Sequence, residues 1–399
     1  REDEGERGGE GGGGGVAFRY QNDAQGHAAV TALLVTNDFP PNVGGIQSYL
    51  WELWRRLPPE RVTVLTTARP GAAAFDAAQP FAVHRWPGKV LLPTPALARE
   101  IRRVAAEAGA GLVVLDPALP VGLLGPRLGV PYGVVLHGAE VTVPARLPVA
   151  RQLLGRVLRG ATSIVAAGGY PAAEAFHVGG DDLPITVVPP GVDVDRFRPI
   201  GPDDRSAARA GAGLPPEGPL VVAMSRLVPR KGFDVLIAAA SLLAPLHPGL
   251  TVAIAGAGRD RQRLERLVAS TGAPVRLLGF VADEAMPALL GAADAFAMPC
   301  RSRWGGLEQE GFGIVFLEAA ACGVAGVAGA SGGSHEAFEH GRTGFVVGRP
   351  QDPVAVAAAL GRLLDDPGLC RAMGDAARRR AVERFSYDRL AADLAGALA

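Results

Sequence analysis

From residue 31 onward the chain repeats one pattern: a short apolar run closed by glycine or a polar turn, then a longer stretch with helical periodicity. Uninterrupted apolar runs are how strands buried on both faces read, and their alternation with helical stretches predicts βα units around parallel sheets. Runs at 31–36, 61–66, 111–115, 132–136 and 162–166 are the expected strands of a first series, with helices over 46–56 and 97–108 between them. A stretch rich in Pro, Gly and charge at 189–218 breaks the rhythm, and a second series follows at 220–225, 251–255, 275–278, 295–299 and 324–329. The expectation is an α/β protein of two doubly wound, Rossmann-like domains facing a cleft. Residues 1–27 are glycine-rich and acidic and read as a disordered tail. The first domain is placed at 28–197, a linker at 198–217 and the second domain at 218–385. A lone amphipathic helix at 386–399, with no strand after it, is expected to pack back on the first domain.

Composition narrows the function. With 399 residues and 48% hydrophobic content, the chain can bury two cores. Basic and acidic residues balance at 40 each, which argues against nucleic acid as a partner. Cys300, Cys322 and Cys370 are too scattered for a disulfide framework, and no apolar run approaches the roughly 18 residues of a membrane span. A cytoplasmic address follows. Two basic, leucine- and valine-bearing stretches, 85–103 and 146–160, fit either ordinary solvated helices or a peripheral surface on the inner face of the plasma membrane.

The chemistry-bearing residues fall where open parallel sheets bind ligands, at the carboxyl ends of strands. The segment SRLVPRKG, 225–232, carries Arg226 and Lys231, and Lys231 is one of only two lysines in a chain that otherwise uses arginine. A planar guanidinium and a compact ammonium can neutralise different oxygens of one diphosphate, although a solvated basic loop would look similar. The segment EGFGIVFLE, 310–318, places Glu310 before a helix and Glu318 within it. Gly311 and Gly313 allow close backbone approach, and the free amides at the start of the helix would face phosphates. The alternative is two surface glutamates flanking a buried helix. The loop NDFPPNVGGI, 37–46, gathers Asn37 and Asn42 with Gly44 and Gly45 at a helix start, as a phosphate- or sugar-contacting turn or an ordinary one. His137 follows a strand directly and is a candidate site residue or a packed one.

Other motifs lack the required spacing. Asp193 and Asp195 lie in a proline-rich turn. His335, Glu336 and His340 do not have zinc-helix spacing, and Gly256 and Gly258 are followed by Arg261 where a dinucleotide fingerprint needs a small residue. No metal site is supported, and the missing fingerprint argues against an oxidoreductase.

The segments VTNDFPPNVGGIQSYL, PPGVDVDRFRP, SRLVPRKG, AFAMPCRSR and EGFGIVFLEA resemble the retaining glycosyltransferases of family 4, which have the GT-B fold. The likeness covers nearly all of the chain after the tail. It is greatest to the branch that moves mannose from GDP-mannose to a phosphatidylinositol mannoside lipid with an α-1,6 linkage. Other GDP- or UDP-sugars and other lipid or soluble acceptors remain alternatives, and a non-catalytic sugar-nucleotide-binding protein is a distant one. The resemblance implies that Arg226 and Lys231 hold the diphosphate, Glu318 the ribose and Glu310 the hexose. Gly44, Gly45, Phe312, Gly313 and Ile314 would complete the donor site. His137 would hydrogen-bond the sugar near its C6 hydroxyl, and Gln47 would face the acceptor. It also implies metal-independent, front-face transfer with no cofactor, the leaving phosphate taking the acceptor's proton.

Overall fold

The computed structural model describes residues 30–42, 44–306 and 308–399; the tail expected at 1–27 lies outside the described residues. Seven strands form the first sheet: β1 (Ala32–Thr36), β2 (Val62–Thr67), β3 (Ala82–Trp86), β4 (Leu112–Asp116), β5 (Tyr132–Leu136), β6 (Ser163–Ala166) and β7 (Ile185–Val187). All their pairings are parallel, in the order β3-β2-β1-β4-β5-β6-β7. The second sheet holds β8 (Leu220–Met224), β9 (Thr251–Ala255), β10 (Val275–Gly279), β11 (Ala295–Met298), β12 (Ala325–Gly329) and β13 (Gly344–Val347), in the parallel order β10-β9-β8-β11-β12-β13. The central strands β1, β4, β5 and β8 are buried at every residue, as the uninterrupted apolar runs require.

Each sheet reverses its winding once, between β1 and β4 and between β8 and β11. Loops leaving neighbouring strands there part to opposite faces and open a crevice at the strands' carboxyl ends. The two crevices face each other across the domain gap. Among the described residues, no helix is long and apolar enough to cross a membrane.

The stretch 198–217, expected as a linker, instead carries the helix Pro202–Gly211. Its buried Arg209 donates to Asp294 Oδ2 at 3.0 Å and to the Gly218 carbonyl at 2.8 Å, which fixes the helix on the second domain. Its polar composition reflects this pairing rather than a lack of structure. The chain crosses between domains around residues 189–191: Val188 is buried with the first core and Val192 with the second. It returns beside the same point after the helix Pro367–Phe385, where Val192 N donates to Phe385 O at 2.8 Å. The final helix, Tyr387–Leu398, then lies on the first sheet, burying Tyr387, Leu390, Leu394 and Leu398 beside Leu50, Leu53 and Trp54 of the helix Gly45–Trp54.

Candidate active site

A cleft of about 720 Å³ lies between the domains. Gly44, Gly45, Tyr49 and His137 line it from the first domain, and Arg226, Lys231, Glu310, Phe312, Gly313, Ile314 and Glu318 from the second. The walls are close: a Cβ on Gly45 would lie 3.7 Å from Ile314 Cδ1, and one on Gly311 would lie 4.0 Å from the His137 carbonyl. Gln47 is the exception among the expected residues. Its Nε2 donates to Asp38 Oδ1 at 2.5 Å, and it stands beside the cleft wall rather than on it.

On the first-domain side, β4 and β5 end next to each other and bring together two residues far apart in sequence. His137 Nε2 lies 2.8 Å from Oδ1 of the buried Asp116, whose Oδ2 accepts the Thr36 hydroxyl at 2.5 Å. The imidazole meets the Tyr49 ring edge-on at 5.6 Å, and Tyr49 is itself anchored by its hydroxyl on the Val188 carbonyl at 2.8 Å. Burial alone would lower the His137 pKa. The Asp116 carboxylate, with smaller contributions from Glu140 and Asp38, outweighs it and pushes the value up to about 9. The ring is therefore an imidazolium at neutral pH.

On the second-domain side, three groups converge on one oxygen. Lys231 Nζ lies 2.6 Å and Arg230 NH1 2.8 Å from Glu310 Oε2, and the Cys300 thiol donates to the same atom at 3.6 Å. Lys231 and Glu310 are both buried. Burial would raise the Glu310 carboxyl, but Lys231 and Arg230 hold it below the usual carboxylate range. The expected division of labour, Lys231 on a phosphate and Glu310 on a sugar, is thus joined in the free protein by a direct ion pair. Arg230, which does not stand out in the sequence as Arg226 does, is part of it. Arg226 is exposed on the cleft wall.

Glycines set this geometry. A Cβ on Gly256 would fall 1.9 Å from Ser225 O, and one on Gly258 would fall 2.3 Å from Leu227 O. The loop after β9 thus nests against the Arg226 loop, which is the role of the glycine pair that fails as a dinucleotide fingerprint. Gly313, in the left-handed region at φ 85°, opens the helix Ile314–Ala321 toward the cleft. At Asp193, Oδ1 accepts the amides of Asp195 and Arg196, so this Asp pair forms a turn.

Glu318 behaves differently from Glu310. Burial raises its pKa to about 7, with Arg196 opposing and Asp283 adding to the rise. A carboxylate accepts hydrogen bonds from a ribose diol better than the neutral acid does. With Glu318 on the donor ribose, as the resemblance implies, nucleotide affinity is expected to weaken as pH falls from 8 to 6, and a Glu318→Gln variant to bind weakly without that pH dependence. Calorimetric titration across the range measures both.

Comparison with known proteins gives the family and the fold. Residues 43–196 match the family model described as Glycosyltransferase Family 4, and residues 204–380 match Glycosyl transferases group 1. The chain is 41% identical over 376 residues to a GDP-mannose-dependent alpha-(1-6)-phosphatidylinositol monomannoside mannosyltransferase of Mycobacterium tuberculosis, covering 91% of this chain and 96% of that protein. It is 37% identical to a monoacylated-substrate counterpart of Corynebacterium glutamicum, covering 90% and 96%. Among solved structures, Anabaena HepE in complex with UDP and glucose superimposes with a TM-score of 0.76 at 22% identity, over 92% of this chain and 98% of that one. WaaG, a glycosyltransferase involved in lipopolysaccharide biosynthesis, gives 0.66 at 20% identity, over 91% and 98%. The fold is the GT-B architecture.

Proposed function

The chain belongs to the family 4 glycosyltransferases, and on that premise we propose that it transfers mannose from GDP-mannose to a phosphatidylinositol monomannoside through an α-1,6 linkage, with retention. The observation that carries the reading is the convergence of the Lys231–Arg230–Glu310 cluster and the Asp116–His137 pair on one cleft.

The ammonium of Lys231 has three donors. One stays on Glu310 Oε2 while the others reach a diphosphate oxygen, joined by Arg226 and the amides at the start of the helix Ile314–Ala321. The three contacts on Glu310 use Oε2 and leave Oε1 for a hydroxyl of the hexose. The His137 imidazolium, opposite, donates to the sugar and adds positive charge where the leaving diphosphate becomes more negative. On this reading these cations and amides meet that charge, and no metal or other cofactor is called for. A leaving phosphate oxygen takes the acceptor hydroxyl's proton on the same face as the new bond.

The lipid acceptor is met at a membrane surface. Beside the cleft, Leu147 and Val149 stand exposed at the start of the helix Pro148–Gly160, and Arg146, Arg151 and Arg159 border an adjoining hollow of about 490 Å³. Apolar side chains flanked by cations fit an anionic bilayer, each cation being worth about 1 kcal/mol there. These features support a peripheral position on the inner face of the plasma membrane. Vesicles containing phosphatidylinositol should retain the wild type, and an Arg151→Glu/Arg159→Glu variant should be released; equal retention would remove this surface from the account.

The direct test of activity supplies GDP-mannose with phosphatidylinositol, its monomannoside or free inositol phosphate, with and without EDTA. The expected result is an α-1,6 dimannoside from the monomannoside alone, formed at the same rate with chelator. Transfer only to the other acceptors would overturn the assignment.

A further inference from the structure

Outside the groups already placed in the cleft, a carboxylate of the second domain caps a helix of the first. Glu336 lies on a 3₁₀ turn of the second domain, Gly332–Ala337. Its Oε2 accepts the Gly169 amide at 3.0 Å, and its Oε1 accepts the Tyr170 amide at 3.2 Å. Both amides open the helix Gly169–Gly179 of the first domain. The first amides of a helix have no partner within it and carry partial positive charge, so an anion from the opposite domain is well placed there.

Two further sets of contacts make this more than a surface hydrogen bond. Behind Glu336, Arg380 donates to the carbonyls of Glu336 and Ala337, both at 2.8 Å, and holds the turn in place. In front, the turn is tied to the donor wall. Gly333 N donates to Glu310 O at 3.1 Å, Glu310 N donates to Ser331 Oγ at 3.2 Å, and a Cβ on Gly333 would lie 2.1 Å from Gly311 O. A line of direct contacts therefore runs from the Glu310 loop through the turn to the first domain. The carboxylate also borders a second interdomain cavity, of about 680 Å³, so it can leave the helix without unpacking either core.

We propose that Glu336 is a positioning residue for transfer: its carboxylate holds the first domain against the second, with the cleft walls in register for the reaction. Glu336 touches no reacting atom in this scheme. It acts by bringing His137 of one domain against the Glu310 wall of the other. The inference rests on the transfer reading for its effect on rate, but not for its effect on domain separation.

Two variants test it from opposite sides: Glu336→Gln, which removes the charge, and Gly168→Val, whose Cβ would start 3.2 Å from Glu336 Oε2 and displace it. Both are expected to bind GDP within about threefold of wild type, to lose about tenfold or more in kcat, and to show a larger radius of gyration by small-angle scattering. Retained GDP binding also establishes that each variant is folded, and if one variant does not fold the other decides. Wild-type scattering and kcat in a folded variant would overturn the proposal. So would a loss of GDP affinity equal to the loss of rate, which would mean the donor loop itself was damaged. A wild type that transfers no mannose would refute the functional reading, whereas scattering of the unliganded proteins would still decide the role of Glu336.

Discussion

Replacing Lys231 with alanine is expected to lower transfer about a hundred- to thousandfold, the range seen when one preorganised charge-stabilising donor is removed from an active site. Lys231 is 5% exposed and faces Glu310 at 2.6 Å, so no water-borne cation takes its place without reorganisation. The substitution also leaves Glu310 with Arg230 as its remaining ion-pair partner. Breaking a buried pair from one side typically costs about 3–5 kcal/mol, and Arg230 keeps the loss toward the lower end. A second substitution separates stability from chemistry. Neutralising the partner, as Lys231→Met with Glu310→Gln, is expected to recover most of the melting temperature and none of the transfer. Recovery of both would mean that the pair is structural.

The second large effect is expected at the opposite wall. His137→Ala should lose transfer by about the same hundred- to thousandfold, through the missing donor to the sugar. Asp116→Asn is the sharper probe, because it keeps the shape of the site and removes the charge that protonates the imidazole. In the unfolded chain His137 titrates near 6.5, and in the folded protein near 9. The pair's contribution to stability is therefore full below about 6.5 and is lost as pH rises through about 9. Wild-type melting temperatures should fall across that window, and those of Asp116→Asn should be flatter. The alkaline limb of the transfer rate should move from about 9 toward neutrality in the variant, as followed in a pH profile of kcat.

The central strands were legible because burial on both faces leaves no room for polar alternation: 220–225 and 132–136 match β8 and β5 to within one residue. The strands not anticipated, β3, β7 and β13, are sheet edges. Each has one neighbour, and the half-exposed AVHRW of β3 mixes apolar and charged residues in a way that does not register as a buried run. The helix Pro202–Gly211 escaped for a related reason, since its buried Arg209 is paired with Asp294, a residue distant in the chain.

The candidate site divides along the same line. His137, Lys231 and Glu310 stand out because their types are unusual at strand ends and loop mouths. Asp116 does not stand out, although it sits one residue beyond a run read as a strand. Only the pairing of β4 with β5 brings it to His137. Gln47 shows the converse, a residue beside the glycine pair whose amide is engaged by Asp38. Its local sequence carries no sign of that contact.

The measurement that bears most directly on the account is a titration of GDP, UDP, ADP and GDP-mannose against the wild type and the Lys231→Ala variant. The account predicts that GDP and GDP-mannose bind the wild type tightly, that UDP and ADP bind far more weakly, and that GDP affinity collapses in the variant. Preference for UDP or ADP would contradict the mannose assignment while leaving the cleft in place, and absence of nucleotide binding by the wild type would contradict the account as a whole.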